Sequence, residues 1–272
     1  MKRLLLPGDL KGFRRHVLDR DASVHILRVL RLPRGTSIEA MDEAGNRFTA
    51  TLAGVKEGRA LLDLSTLPGA VSSGTSARAP SKDSEPTLLP RIALVQGLPK
   101  GQKMDLIIRQ AVEAGVELIL PLQTRYSVVK ELGKEGSGAG VFRRERILKE
   151  ALQQSGSLVR SRILPTSSMQ SFKSRLADEG FSPETSLYLM FHELEIATAS
   201  LHEYCAGAPL SAVILVGPEG GFSPEETIYC NELGFKSIHI PGPILRTETA
   251  ALFAIAAVKT LLMEKNIWTL SK

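Results

Sequence analysis

The chain has 272 residues, 43% of them hydrophobic, with 34 Lys and Arg against 29 Asp and Glu, a formal charge of +5. This is the composition of a globular protein of one large domain or two ordinary ones, and it excludes disordered, fibrous and disulfide-framework classes. No run of about 18 uncharged apolar residues offers a membrane span, and the three leucines after Met1-Lys-Arg are too few for a signal-peptide core. The two cysteines, Cys205 and Cys230, have no metal-ligand spacing and point to a reduced cytoplasm and to no metal.

The charge is uneven. Residues 1–34 hold nine Lys and Arg against three Asp, a balance of +6, so the rest of the chain sums to −1. Basic charge gathered in one part of a chain is the footprint of a polyanionic partner. Arg3, Arg14, Arg28 and Arg31 are the candidate phosphate contacts there, with Lys100 and Lys103 extending the set.

Up to residue 68 the pattern is strand-like. Ser37–Met41 alternates and Asp42–Asn46 turns; Phe48, Ala50 and Leu52 alternate, Lys56–Gly58 turns, and Ala60, Leu62 and Leu64 alternate again. Short strands on tight turns predict a small β-barrel over residues 1–68. Residues 69–87 contain a single large aliphatic side chain and read as a flexible linker or insertion. From there to residue 272 the rhythm is α/β. Strands are expected at 91–96, 116–120, 186–191, 212–216 and 237–240, with helices between them and a mainly parallel sheet. Ligands of such sheets bind beyond the carboxyl ends of the strands.

Three motifs fail on context. Gly97-Leu-Pro-Lys-Gly-Gln-Lys103 follows a strand, but its glycines are too close for a nucleotide P-loop. Gly136-Ser-Gly-Ala-Gly140 follows charged residues rather than a buried strand, and reads as a loop between helices. His192 and His202 do not form His-Glu-x-x-His. Two C-terminal stretches remain. In Leu215-Val-Gly-Pro-Glu-Gly-Gly-Phe-Ser-Pro-Glu-Glu226, Ser223, Pro224 and Glu226 make an N-cap, N1 and capping box, with Gly234 closing the helix. That accounts for residues 223–226. Gly217–Gly221 is either a structural turn or bare backbone for a ligand. After Ile240 a Pro-rich loop leads to Leu245-Arg-Thr-Glu-Thr-Ala250 and a helix so apolar on every side that it is expected to be buried. Glu248 complements that helix's dipole. Arg246 has no such local reason and is a candidate for an anionic or carbonyl-rich ligand.

These residues resemble the RsmE family, bacterial 16S rRNA (uridine-N3) methyltransferases of the SPOUT class. The matching stretches are His25–Arg31, Gln96–Met104, Gln110–Val116, Gly217–Ser223 and Leu245–Ala250, in the family's order. The resemblance implies a PUA-like barrel, an α/β domain with a deep trefoil knot, a homodimer, and S-adenosylmethionine held by three loops. In this chain Phe191, Leu215, Gly217, Pro218, Glu219, Gly220, Gly221, Ile240, Ile244, Leu245, Arg246 and Thr247 would line that cofactor site. It also implies the small ribosomal subunit as partner. The chain departs from the family at Thr124-Arg-Tyr-Ser127, where Ser/Thr-Glu-Arg-Ser is usual, and at Ser157, where an arginine is usual. Uridine N3 is a poor nucleophile until its proton leaves, so Arg246 is expected to stabilise charge on the uracil carbonyls. Glu219 and Glu248 are the candidate proton acceptors, Glu219 being the better suited to organising its loop. Another SPOUT-type RNA methyltransferase and a non-catalytic RNA-binding assembly factor are the alternatives.

Overall fold

The computed structural model describes residues 4–67, 89–132, 138–157, 159–192, 197–207 and 209–266. The chain divides into two compact units, Met1–Glu85 with Leu152–Gly156, and Pro86–Ala151 with Ser157–Lys272. Arg3, the expected linker at 69–87 and part of the Gly136–Gly140 stretch lie outside the described residues.

The first unit contains β1 (Leu4–Leu6), β2 (Arg15–Val17), α1 (Arg20–Val24), a π-helical turn (His25–Val29), β3 (Ser37–Asp42), β4 (Arg47–Lys56) and β5 (Arg59–Thr66). The five strands form one sheet in the order β1-β3-β4-β5-β2. The alternating residues do what a period of two demands: Phe48, Ala50, Leu52, Ala60, Leu62 and Leu64 are buried, with Leu6, Leu18 and Ile26 packed among them. The expected turn after β3 is held by the Asp42 carboxylate, which accepts the amides of Leu10 and Asn46, both at 2.8 Å. The stretch His25–Arg31 forms the π-helical turn and then places Arg31 at φ +50°, a left-handed conformation that a non-glycine residue rarely adopts. Arg14, Arg28 and Arg31 are all exposed.

The second unit contains β6 (Arg91–Gly97), α2 (Lys103–Glu113), β7 (Leu118–Gln123), α3 (Gly138–Ser155, as far as Ala151), β8 (Arg162–Ile163), β9 (Ser167–Ser168), α4 (Phe172–Asp178), β10 (Leu187–His192), α5 (Leu201–Tyr204), β11 (Ser211–Val216), α6 (Pro224–Glu232), β12 (Lys236–His239) and α7 (Thr247–Asn266). Its sheet runs β12-β10-β11-β6-β7-β8, with β9 also pairing β7, and every pairing is parallel. The continuous apolar runs of β6, β7, β10 and β11 are what a sheet covered on both faces requires. Phe172, Phe181, Tyr188 and Phe235 fill one side, and the buried Tyr188 hydroxyl donates to the Phe181 carbonyl at 2.8 Å.

Two expectations change here. Gly138 and Gly140 are not in a loop: they begin α3, whose later residues carry the helix back to them. Helix α7 is not buried on every side. Ala251, Ala254, Ile255, Val258 and Leu262 are buried on the face toward β6, β11 and α2, whereas Leu252 and Phe253 are 37% and 48% exposed. Among the described residues the sheet and α2 cover one side of the helix. Lys259 anchors it, donating at 2.5 Å to the Ala114 carbonyl at the end of α2, and burial lowers the Lys259 pKa. No helix among the described residues is long and apolar enough to cross a membrane.

Candidate functional site

Strands β6 and β11 are neighbours, with Gln96 opposite Val216. The chain leaves β6 toward β7 on one side and leaves β11 toward β12 on the other. Their carboxyl ends therefore form a topological switch point, the place where the loops diverge and a crevice opens. Gln96, at this point, is fully buried. Its Nε2 donates to the Gly97 carbonyl at 2.9 Å and to the Thr247 hydroxyl at 3.0 Å, and lies 3.3 Å from the Gly217 carbonyl. The Thr247 hydroxyl in turn donates to the Gly217 carbonyl at 2.7 Å. One buried side chain thus joins the end of β6, the loop after β11 and the start of α7.

The glycines of this region are required by the protein itself. A Cβ on Gly97 would stand 2.5 Å from Pro218 Cδ and 2.7 Å from its nitrogen; one on Gly217 would meet Gly221 and Phe222 at 3.2 Å; one on Gly220 would meet Tyr126 Cβ at 2.9 Å. Gly221 adopts φ +67°. The turn is thus packed too tightly for side chains, while the backbone of Gly220 stays exposed. After it, Ser223 accepts the Glu226 amide and Glu226 accepts the Ser223 amide, the expected capping box. Ser223→Ala is expected to lower unfolding stability by about 1 kcal/mol, measured by chemical denaturation.

Glu219 is engaged within the chain. Its carboxylate accepts the Lys103 ammonium at 2.7 Å and the Lys100 amide at 3.2 Å. Burial opposes its charge, but the Lys103 hydrogen bond and the backbone amides outweigh it, so the Glu219 pKa lies below the ordinary carboxylate value. An ionised carboxylate already holding a lysine is a poor proton acceptor. Lys103, for its part, is raised by Glu219, with the nearby Arg246 charge working against it. Its ammonium also lies 3.7 Å from Glu248, whose Oε2 is enclosed without a hydrogen bond among the described residues.

The loop after β7, where the chain departs from the resembled pattern, backs onto this turn. Arg125 donates its amide to Glu226 at 2.7 Å and pairs with Glu225, while Ser127 holds the Thr124 amide at 3.1 Å. Tyr126 is thereby set against Gly220 with 45% of its surface exposed.

Of the residues expected to line the cofactor, Gly217, Pro218 and Thr247 are drawn together in the buried junction, and Leu215 is fully buried within β11. Phe191, 6% exposed, is the last residue but one of β10, beside Val216 and Ile238. Ile240 and Leu245 are half-buried in the loop after β12, Ile244 is 81% exposed, and Arg246 is exposed at the mouth of α7. The sequence reading missed Gln96 and Gly97 as site residues. The available signal was an amide ending a buried apolar strand, immediately followed by glycine.

Residues 86–259 match the model of the RNA methyltransferase domain family. The chain is 28% identical to a ribosomal RNA small subunit methyltransferase E of Mycobacterium bovis over 90% of this chain and 86% of that protein. It is 31% identical to ribosomal RNA small subunit methyltransferase E 2 of Borreliella burgdorferi over 61% of this chain, spanning 65% of that protein. Its fold superposes with a TM-score of 0.75 on the ribosomal RNA small subunit methyltransferase E of Neisseria gonorrhoeae bound to S-adenosylmethionine, at 26% identity over 96% of this chain and 98% of that one. Matched by that family model over residues 86–259 and similar to these relatives, the chain belongs to the RNA methyltransferase domain family, in its RsmE group.

Proposed function

We propose that this protein uses S-adenosylmethionine to methylate N3 of a uridine in the 16S rRNA of the small ribosomal subunit. The observation that carries the reading is the buried knitting of three loops by Gln96, Gly217 and Thr247 at the switch point of a parallel sheet. The donor set fits that cofactor. It offers exposed backbone at Gly220, an apolar side chain near the end of β10 in Phe191, and an ionised Glu219 suited to a cationic ligand. When bound, the cofactor supplies an electrophilic methyl group on a sulfonium. Gly217 to Gly221 and the loop from Ile240 to Thr247 would hold it, with Leu215 and Ile244 to Leu245 among the flanking residues.

The chain's own residues then orient the base and manage charge. Arg246, exposed beside the junction, stabilises negative charge on the uracil carbonyls as N3 gives up its proton. Glu219 keeps the Lys100 and Lys103 segment fixed to the glycine turn. The target uridine must be unpaired or extruded to reach the site. Arg14, Arg28 and Arg31, with Arg3, would grip RNA phosphates, and Lys100 would add to them; Lys103 already holds Glu219. The same reading takes the first unit as a PUA-like barrel and the second as a deep trefoil knot. It also makes the protein a cytoplasmic homodimer, in which the exposed Leu252 and Phe253 of α7 would be covered.

The test is a nucleoside map of 16S rRNA by mass spectrometry. A strain lacking the gene is expected to lose 3-methyluridine and to regain it on complementation. Persistence of 3-methyluridine, or loss of a tRNA or ribose methylation instead, refutes the assignment.

A further inference from the structure

We infer that Thr247 is a positioning residue for Arg246, working through a one-way hydrogen-bond relay from Gln96 through Thr247 to the Gly217 carbonyl. This rests on the function proposed above and adds the device that sets the arginine against the cofactor turn.

The relay follows from counting hydrogens. The Gln96 amide has two, and its two shortest contacts are the Gly97 carbonyl at 2.9 Å and the Thr247 oxygen at 3.0 Å. With that lone pair occupied, the Thr247 hydroxyl has its own hydrogen free for the Gly217 carbonyl, at 2.7 Å the shortest bond of the set. Donors therefore run in one direction, an arrangement in which each bond polarises the next. Gln96 is fully buried and Thr247 is 5% exposed, so water does not compete for these bonds. The Gln96 Oε1 has no hydrogen-bond partner among the described residues. That orphaned acceptor shows that the amide is turned to serve the loops rather than to satisfy itself.

Arg246 precedes Thr247, and its carbonyl accepts the first bond of α7, from the Ala250 amide at 2.8 Å. Its backbone is thus fixed on one side by the helix and on the other by the relay, while its side chain stands in solvent. A second tie joins the same two elements at the surface, where Lys103 lies between Glu219 and Glu248. That bridge is only half-buried, and its ion pairs are weakened by salt. The relay is the tie that neither solvent nor salt loosens.

Valine matches threonine in shape and lacks only the hydroxyl, so Thr247→Val removes the relay with little change in packing, and Thr247→Ser restores a hydroxyl. In the full-length protein, Thr247→Val is expected to slow methyl transfer to 16S rRNA about tenfold at saturating cofactor and RNA. Its S-adenosylmethionine Kd, by calorimetry, is expected to rise less than about threefold, and Thr247→Ser to stay near wild type in both. Combined with Arg246→Ala, the valine change should add nothing further, because both remove one contribution. The inference is overturned if Thr247→Val leaves the rate unchanged, if its slowing is matched by lost cofactor affinity, or if its effect multiplies with that of Arg246→Ala. A wild-type protein that binds the cofactor but transfers no methyl to 16S rRNA overturns the underlying function, and the inference falls with it.

Discussion

Gly97→Ala is expected to destabilise the second unit by about 3 kcal/mol and to weaken S-adenosylmethionine binding at least tenfold. The added Cβ would stand 2.5 Å from Pro218 Cδ, 2.7 Å from Pro218 N and 3.0 Å from the Gly217 carbonyl carbon. Backbone and a proline ring cannot swing aside as a flexible side-chain end can. The ends of β6 and β11 would have to part, and with them would go the junction that Gln96 makes through its bonds to Gly97 and Thr247, 3.3 Å from the Gly217 carbonyl. Overpacking and loss of the buried polar junction thus come from one methyl group. Gly54→Ala is the control: no atom stands within 4 Å of its Cβ position, and a change within about 0.5 kcal/mol is expected. Chemical denaturation and calorimetry read both. If Gly97→Ala unfolds at the wild-type denaturant concentration and binds the cofactor normally, the close approach of the two loops is not required.

Arg246→Ala is expected to reduce turnover by a factor of about 100 to 1000, the range seen when one preorganised charge-stabilising donor is removed. Cofactor affinity should change far less. The guanidinium is exposed at the mouth of α7 and makes no hydrogen bond to the protein among the described residues, so its removal leaves no buried partner stranded. Its charge works against the charged form of the nearby Lys103. Fold stability is therefore expected to hold or to rise slightly as a like charge is lost. Equal losses in turnover and in S-adenosylmethionine affinity would mean that Arg246 is a cofactor ligand and not the residue that meets charge on the uracil. Arg246→Lys distinguishes charge from geometry, since an ammonium cannot contact two carbonyl oxygens with a planar fork.

Local chemistry was enough to place many elements. The capping box at Ser223–Glu226, the left-handed stop at Gly234 and the strand alternation of residues 47–66 are written in neighbouring residues, and the structure has them where that chemistry puts them. The parallel sheet was legible because strands buried on both faces read as unbroken apolar runs. The mismatch at α7 has the same root. Hydrophobicity states that a surface should be covered, not what covers it, and the described residues cover one face of that helix.

The sequence by itself determined the alternating strands of residues 37–64, the main strands of the parallel sheet, the cap at Ser223, the basic N-terminal stretch and the two motifs that carry the family. Only the tertiary structure decided what those motifs do to one another. Gln96, Gly217 and Thr247 are separated by 121 and 151 positions from first to second and first to third, and nothing local relates an amide in one to a hydroxyl in another. Likewise, the bareness of Gly97, Gly217 and Gly220 answers to Pro218, Phe222 and Tyr126, and the charge of Glu219 answers to Lys103. Periodicity and capping act over a few residues and are readable in order along the chain. The packing distances and hydrogen-bond partners that build the site exist only once a parallel sheet brings the ends of β6 and β11 side by side.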